Sequence, residues 1–199
     1  AIAAFSFNQA IEINHDALME RTQGRPLPSR RITPAAAWIA GSVAALLGAW
    51  VLWSQVNGLT AFLGALTVVL YAAVYTPLKR VTPFNTLVGG IPGALPPLMG
   101  WTAAQNAIGM GGILLFVLLF FWQLPHFLAL AWMYKDDYAR GGYRMLSLVD
   151  ADGAACFRQV VLQSLLLLPV SAFPYMYGLA GHWYLLVAML AGAVLLVIG

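Results

Sequence analysis

The sequence predicts an all-α fold, a polytopic transmembrane helical bundle. Hydrophobic residues make up 61% of the chain and charged residues only 9%, whereas soluble domains carry about 25% charged residues. The apolar residues form six segments, each close to the roughly 20 residues that a membrane-crossing helix needs: 35–54, 59–76, 86–104, 108–133, 159–179 and 183–199. Helices are expected because backbone groups in lipid need internal partners, and these segments lack the strict alternation of barrel strands.

The six spans are predicted to belong to a single domain covering residues 1–199. The fourth segment is rather long for one crossing, so it should tilt or protrude from the bilayer. Residues 1–7 resemble the end of a further apolar helix, and Gly199 ends a span without a polar cap. We therefore expect the chain to be cut at both ends. The single Cys156 excludes an intrachain disulfide and a cysteine-based metal cluster.

The third segment, 86–104, differs from the others because it is rich in helix-breaking residues. They are Gly89, Gly90, Pro92, Gly93, Pro96 and Pro97. Since each proline removes a backbone donor and clashes with the preceding turn, a continuous regular helix is not expected there. Two interpretations stay open: irregular backbone that lines a cavity for a bulky ligand, or close helix packing through glycine.

The charged residues form three clusters separated by pairs of apolar segments. Cluster one spans residues 12–31, cluster two is Lys79 and Arg80, and cluster three spans residues 135–158. The intervening connectors, 55–58, 105–107 and 180–182, hold no Lys, Arg, Asp or Glu. If every segment crosses the membrane, all three clusters emerge on one side, and the Lys and Arg bias places that side in the cytoplasm. The net charge of +3 comes without a basic run or stacking platform, so nucleic-acid binding is not expected.

Cluster one begins with a polar stripe that is suited to a metal. Asn8, Glu12 and Asp16 stand at i, i+4 and i+8, which places them on one face of a helix. Mg²⁺ commonly takes one or two protein carboxylates and completes its shell with water and substrate phosphates. The alternative is a solvated helix end whose charges pair with Arg21 and Arg25.

Cluster three offers a second acidic group. Asp136 and Asp137 follow directly after a span, and Asp150 and Asp152 come after a probable turn at residues 141–144. Two acidic groups on one membrane face are what a metal-bridged diphosphate requires. The alternative is a charged loop that caps helix ends.

Two further features complete the set of candidates. Lys79 and Arg80 could bind phosphate as a point charge and a bidentate partner, or they serve only as an orientation signal. His126 lies about 27 Å across the fourth span, counted from residue 108 at 1.5 Å per residue. A polar residue at this depth usually faces a cavity or another helix. It is a candidate porphyrin ligand or proton donor, or else a hydrogen-bonded histidine between helices.

Three stretches together resemble the protoheme IX farnesyltransferases, or heme O synthases, of the UbiA superfamily of intramembrane prenyltransferases. They are the stretch from Asn8 through Glu12, Asp16, Arg21 and Arg25 to Pro28, the stretch from Tyr75-Thr76-Pro77-Leu78-Lys79-Arg80 to Pro97, and the stretch from Phe121 through Pro125-His126-Phe127, Asp136-Asp137 and Gly141-Gly142 to Asp150. The resemblance implies a bundle of nine transmembrane helices. This chain would hold the end of the second helix through the eighth, with about six complete spans.

The resemblance also implies roles for individual residues. Mg²⁺ would be held by Glu12, Asp16, Asp136 and Asp137, the catalytic residues would be Asp16, Tyr75, Lys79 and Asp137, and substrate would be bound by Asn8, Arg21, Arg25, Arg80, His126 and Arg144. Two positions depart from the family pattern. Gln9 replaces an acid of quinone-type members, and Asn14 stands where many heme O synthases carry an acid.

The implied reaction transfers a farnesyl group from farnesyl diphosphate to a vinyl group of heme B, with water supplying the hydroxyl of heme O. Heme B is then a substrate, and the other expected partners are farnesyl diphosphate, the lipid bilayer and the machinery of heme A synthase or terminal oxidase assembly. The expected location is a bacterial or mitochondrial inner membrane, with the site on the cytoplasmic or matrix face. Two alternatives stay open: a UbiA-type enzyme acting on a quinone precursor or chlorophyll-type ring, and a transporter of an amphipathic anion.

Overall fold

A computed structural model describes residues 1–150 and 152–198, and these form helices joined by turns. The helices are α1 (Ile2–Asp16), α2 (Pro34–Gln55), α3 (Gly58–Val69), α4 (Thr76–Leu78), α5 (Asn85–Gln105), α6 (Met110–Met133), α7 (Lys135–Arg140), α8 (Leu146–Val149), α9 (Ala154–Met176) and α10 (His182–Ile198). A π-helical stretch, Leu70–Tyr75, joins α3 to α4. The all-α prediction is confirmed.

In the described part of the chain, four helices are long and apolar enough to cross a membrane: Pro34–Gln55, Gly58–Leu78, Met110–Met133 and Ala154–Met176. The predicted spans agree with these helices to within a few residues, except that α9 begins at Ala154 and ends at Met176 instead of covering 159–179. The predicted sixth span corresponds to α10, but its last residue, Gly199, lies outside the described residues. The chain is therefore a membrane protein with several spans.

The early start of α9 has a local cause. A carboxylate oxygen of Asp150 accepts a hydrogen bond of 2.7 Å from the Cys156 amide, and Asp152 accepts one of 3.1 Å from the Ala154 amide. Carboxylates at this position satisfy the free amides of the first turn. For Asp150 and Asp152, the helix-capping alternative is therefore the one that the structure supports.

Each long helix packs against the next one along the chain, in the order α1, α2, α3, α5, α6, α9, α10. Leu63, Leu95 and Leu98 fill the space between α3 and α5. A second packing group of Met19, Ala131, Tyr143 and Met145 lies beneath the charged loops. Large apolar side chains on the outer face of α2, such as Leu46, Trp50 and Trp53, are exposed. That exposure is expected for a helix that faces lipid.

The expectation that segment 86–104 would not form a continuous helix is wrong. α5 runs unbroken from Asn85 to Gln105 with Pro92, Pro96 and Pro97 inside it. Gln123 of α6 donates a hydrogen bond of 2.8 Å to the carbonyl of Gly90, which ties this stretch to the next helix. Membrane helices tolerate internal proline because neighbouring helices and local adjustments of the backbone can compensate for the lost bonds.

The glycines of α5 allow close contact, which favours the packing interpretation. A Cβ at Gly89 would lie 2.5 Å from a ring carbon of Tyr75, and one at Gly90 would lie 2.9 Å from a ring carbon of Phe120. A Cβ at Gly93 would collide with the Gln123 side chain. These glycines hold α5 close to α6 and seat the Tyr75 ring against the helix backbone.

The π-helical stretch fixes the position of Tyr75 and Thr76. The amide of Thr76, directly after this stretch, donates to the carbonyl of Tyr71, and the Thr76 hydroxyl donates to the same carbonyl at 2.8 Å. Pro77 follows and has no amide to continue the regular ladder. Single π turns are frequent at functional sites, and here the turn leads directly to Lys79.

Candidate active site

The three charge clusters meet at one end of the helical bundle, as the sequence predicts. Lys79 Nζ of cluster two lies 2.8 Å from Glu12 Oε2 of cluster one. Arg140 of cluster three lies 3.0 Å from Glu20 of cluster one, and the Arg144 amide donates to the Lys79 carbonyl at 2.7 Å. The clusters therefore form the walls of one polar region.

The predicted polar stripe of α1 forms the floor of this region. Asn8, Glu12 and Asp16 are 6%, 2% and 1% exposed. Asn8 Nδ2 donates to Glu12 Oε2 at 2.7 Å and to the Thr76 hydroxyl at 3.1 Å. Asn14, which stands where many heme O synthases carry an acid, is exposed and lies away from the buried stripe.

Glu12 and Asp16 are each half satisfied. Glu12 Oε2 pairs with Lys79, and Asp16 Oδ2 pairs with Arg25 Nη1 at 2.8 Å. The other oxygen of each, Glu12 Oε1 and Asp16 Oδ1, is buried without a hydrogen-bond partner among the described residues. A buried carboxylate oxygen without a partner carries a desolvation penalty, so both atoms are suited to a cation.

This donor set fits Mg²⁺ better than a metal that needs a full protein cage. Within the described ranges, no group of three or more His, Cys, Asp or Glu side chains is arranged to hold a metal ion. Mg²⁺ needs only one or two carboxylates because it keeps several waters and binds substrate phosphates. Glu12 and Asp16 supply that number.

Lys79 stands between the acids and two aromatic rings. Its Nζ lies 4.9 Å from the ring centroid of Tyr75 and 5.7 Å from that of Tyr143. Burial lowers the pKa of Lys79, and the Glu12 carboxylate opposes that shift. Burial also raises the pKa of Tyr143, and the charges of Glu12 and Asp16 raise it further. Tyr143 thus keeps its proton and adds a hydroxyl to the region.

Asp137 reaches the same region but is held by the main chain. Its Oδ1 accepts from the Glu20 amide at 3.0 Å, and its Oδ2 accepts from the Arg21 amide at 3.2 Å. Arg140 Nη2 lies 2.6 Å from Oδ1. This guanidinium, together with the two amides, lowers the pKa of Asp137. Asp137 therefore clamps the loop after α1, and its predicted metal role stays a prediction.

The remaining cluster-three candidates lie nearer to solvent. Asp136 is exposed and lines a cleft of about 460 Å³ together with Glu20, Arg21, Met133, Tyr134, Asp137 and Arg140. Arg21 places its guanidinium 4.8 Å from the ring centroid of Tyr134 and donates to the Tyr138 hydroxyl at 3.2 Å. Arg144 joins the region through its backbone, and its side chain is exposed.

His126 is not brought into contact with the acidic stripe. It is exposed on α6 and stacks on Trp122, with ring centroids 5.8 Å apart and an interplanar angle of 16°. Trp122 lines an apolar cleft of about 600 Å³ between α5, α6, α9 and α10. His126 thus lies at the rim of an apolar cleft. It does not occupy the position between helices that one of the sequence-based alternatives predicted.

Sequence reasoning missed residues that hold this region together. Asn85 is fully buried, and its Nδ2 donates to the carbonyls of Thr82 and Arg144 at 2.7 and 2.8 Å. His15 bridges Arg80 and the turn at Gly141. The only signal for either residue was its place beside a charge cluster, which does not reveal a bond to a distant loop.

Comparison with known proteins gives a consistent result. The UbiA prenyltransferase family matches residues 1–199. The chain is 45% identical over 187 residues to a protoheme IX farnesyltransferase of Solibacter usitatus, covering 94% of this chain and 64% of that protein. The mitochondrial protoheme IX farnesyltransferase of Arabidopsis thaliana is 44% identical to the chain over 186 residues, which cover 94% of this chain and 43% of that protein. The protoheme IX farnesyltransferase of Myxococcus xanthus is 44% identical to the chain over 199 residues, which cover 99% of this chain and 67% of that protein.

The chain spans less than two thirds of the Solibacter protein and less than half of the Arabidopsis protein. No solved structure matches the chain.

Proposed function

Because this chain belongs to the UbiA prenyltransferase family, we propose that the whole protein transfers a farnesyl group from farnesyl diphosphate to a vinyl group of heme B. Water adds to the same vinyl group, and the products are heme O and diphosphate. The similar proteins from Solibacter and Myxococcus carry the name protoheme IX farnesyltransferase, which supports this choice of substrates over a quinone precursor or a chlorophyll-type ring.

The observation that carries the proposal is the pair of half-satisfied buried carboxylates. Among the described residues, Glu12 Oε1 and Asp16 Oδ1 lie buried without a partner beside Lys79 and Arg25. Such a site attracts a cation and a phosphate-bearing ligand together. Glu12 and Asp16 would hold Mg²⁺, with Asp136 and Asp137 as a second acidic position. When bound, Mg²⁺ supplies a positive charge that stabilises the departing diphosphate.

The basic residues have a complementary task. When the allylic C–O bond breaks, negative charge develops on the diphosphate oxygens, and pre-positioned cations stabilise it. Lys79 and Arg25 already lie at the carboxylates, and Arg80 lies beside His15 at the same end of the bundle. Arg21 and Arg144, both exposed, complete the positive charge on the side from which a diphosphate enters.

Aromatic rings and apolar helices serve the other half of the reaction. Tyr75 and Tyr143 flank Lys79 with their π faces, and the same faces would stabilise an allylic cation that forms beside them. A mostly dry site keeps water from capturing that cation before the vinyl carbon attacks it.

The apolar cleft of about 600 Å³ has the size and lining of a small-molecule site. We assign this cleft to the apolar parts of the substrates. Because His126 stacks on Trp122 of the cleft, we propose that His126 contacts heme.

The distribution of charged residues indicates on which face of the membrane the site lies. The Lys and Arg bias of the loops favours a site on the cytoplasmic or matrix face of an inner membrane. An enzyme that makes heme O must pass it to a later step of heme maturation, so association with heme A synthase or terminal oxidase assembly belongs to the same proposal.

The test uses the full-length protein in membranes, supplied with heme B, farnesyl diphosphate and Mg²⁺. Mass spectrometry should find heme O, and its formation should cease when Mg²⁺ is chelated. Prenylation of a quinone precursor with no heme product would move the protein to another branch of the family. Uptake of farnesyl diphosphate without release of diphosphate would indicate a transporter.

A further inference from the structure

His15 touches all three charge clusters, and it has no part in the proposed metal or diphosphate contacts. It belongs to cluster one, next to Asp16 in α1. Its Nδ1 lies 2.7 Å from the carbonyl oxygen of Gly141 in cluster three. Its Nε2 lies 3.2 Å from Nη1 of Arg80 in cluster two. Its ring also packs on Tyr143, with centroids 5.6 Å apart.

The two partners determine the state of the imidazole. A carbonyl oxygen only accepts, so Nδ1 must carry a proton in order to bond to Gly141. A guanidinium only donates, so Nε2 must be free to accept from Arg80. His15 is therefore the neutral Nδ1–H tautomer, with one nitrogen committed to each neighbouring loop.

We propose that His15 is a positioning residue that holds Arg80 at the diphosphate-binding region, with its bond to Gly141 serving to orient the imidazole ring. This inference rests on the proposed function in so far as Arg80 contacts a diphosphate. The chemistry of the ligand is that of a diphosphate anion, which Arg binds through its planar fork of donors.

The geometry explains why Arg80 needs such a partner. Its side chain is exposed, and the only hydrogen bond that it makes to another described side chain is the one to His15. A long side chain without a fixed contact loses rotamer entropy when it binds a ligand. The backbone bond from the Arg144 amide to the Lys79 carbonyl holds the loop beside it, but His15 fixes the guanidinium itself.

Three substitutions separate the two hydrogen bonds of His15. In His15→Asn, the amide reaches only the position of Nδ1, so the bond to Gly141 is kept and the bond to Arg80 is lost. In His15→Gln, the amide oxygen reaches the position of Nε2, so an acceptor for Arg80 is kept. His15→Ala removes both bonds. Each variant is made in the full-length protein alone and combined with Arg80→Ala.

The measurement is the affinity for inorganic diphosphate in the presence of Mg²⁺. His15→Ala and His15→Asn should each weaken binding about 10-fold, since hydrogen bonds to charged groups have effects of this order. His15→Gln should stay within about 3-fold of the unsubstituted protein, and Arg80→Ala should mask every His15 substitution, because residues that act through one contact are not additive. Nitrogen-15 NMR of labelled histidine should report the Nδ1–H tautomer for His15.

Other outcomes would overturn the inference. Additive losses in the double variants, or a His15→Gln protein as weak as His15→Ala, would mean that His15 does not act through Arg80. Unchanged affinity in all three variants would exclude a positioning role. If the protein binds diphosphate with the expected coupling but makes no heme O, the inference stands and the proposed acceptor is wrong. A failure of the unsubstituted protein to bind diphosphate would overturn both.

Discussion

Glu12 and Asp16 differ from ordinary ion-paired acids because each keeps one buried oxygen that has no partner in the part of the chain that the structure describes. A pair whose only task was to neutralise Lys79 and Arg25 would gain by satisfying both oxygens of each acid. Glu12 Oε1 and Asp16 Oδ1 are unpaired within residues 1–150 and 152–198, which is unfavourable for folding. A buried polar atom without a partner often marks a place where a ligand or an ion binds. At the scale of single residues, this is the strongest sign of a functional metal position.

The corresponding prediction concerns Asp16→Asn in the full-length protein. The amide keeps the shape of the side chain but replaces one anionic oxygen, so it should lower kcat by about 10²-fold or more, the order seen when one stabilising group of a charged transition state is removed. The Mg²⁺ concentration needed for half-maximal rate should also rise. The measurement is heme O formation across a Mg²⁺ titration.

Asn14→Asp provides the matched comparison, because Asn14 lies on the same helix but is exposed. Adding an acid there should leave both kcat and the Mg²⁺ requirement nearly unchanged. A large gain in activity from this variant would show that position 14 belongs to the site, and normal turnover of the Asp16→Asn protein would remove Asp16 from the metal site.

Asp137 leads to a prediction about pH. Because Arg140 and two main-chain amides hold its pKa below the ordinary value, the carboxylate stays charged throughout the neutral range. Its contribution to stability is present above about pH 4, the ordinary Asp value, and is lost only as the pH falls through the lowered folded-state pKa. Protection of the Glu20 and Arg21 amides in hydrogen exchange, corrected for intrinsic rates, should therefore be constant from about pH 5 to pH 8.

Asp137→Asn should mimic acid at neutral pH. One nitrogen of the new amide must face a donor, so the two amides should exchange about 10-fold faster or more. Asp136→Asn is the control, since Asp136 is exposed and its substitution should leave exchange unaltered. Equal protection in both variants would contradict the clamp described for Asp137.

At the scale of residues, the sequence predicted which side chains share a helix face better than it predicted their bonds. The i, i+4, i+8 spacing predicted that Asn8, Glu12 and Asp16 share one face, and the structure adds that this face is buried. It could not show that the Asp137 oxygens bond to amides after α1, because that contact depends on how two loops meet. The same holds for His15, whose partners lie in loops far along the chain.

At the scale of elements, the glycines of α5 give a sharp test of packing. Gly89→Ala would place a Cβ 2.5 Å from the Tyr75 ring, and overpacking of this kind destabilises by about 1–3 kcal/mol. The unfolding midpoint in detergent should fall by several degrees, since about 1 kcal/mol corresponds to roughly 2–4 °C in a chain of this size. Activity should fall as well, because Tyr75 packs on Lys79.

Gly100→Ala lies in the same helix and serves as the control. A Cβ there meets nothing within 4 Å, and alanine favours a helix over glycine by up to about 1 kcal/mol. Its midpoint should be equal to or above that of the unsubstituted protein. If both variants lost stability equally, the close contact between Gly89 and Tyr75 would not be the cause.

The helices were predictable to within a few residues because length and hydropathy are properties of each segment alone. The continuity of α5 was not. Three prolines within 21 residues argue for a break when the helix is considered in isolation. The close contacts of Phe120 and Gln123 with Gly90 and Gly93 come from another helix, so the residues of one segment do not predict them.

At the scale of the whole molecule, two ends of the bundle have opposite characters. The charged end is tied together by ion pairs between clusters, such as Lys79 with Glu12. The other end is tied by neutral groups: Asn57 donates to the Thr102 carbonyl at 2.8 Å, and the Thr60 and Thr102 hydroxyls lie 2.8 Å apart. This end therefore needs no charged residues, and all Lys and Arg residues lie at the opposite end. By the positive-inside rule, that distribution predicts a single orientation in the membrane.

This asymmetry predicts the result of chemical labelling in cells. Gln23 lies in the loop of cluster one and Gln105 at the end of α5, and both side chains are exposed. With a membrane-impermeant maleimide, Gln105→Cys should react in intact spheroplasts, whereas Gln23→Cys should react only after permeabilisation. The native Cys156 is fully buried, so the unsubstituted protein should stay unlabelled and serves as the background. Reaction of Gln23→Cys from outside would place the acidic stripe, and with it the proposed diphosphate site, on the wrong face for a substrate that the cytoplasm supplies.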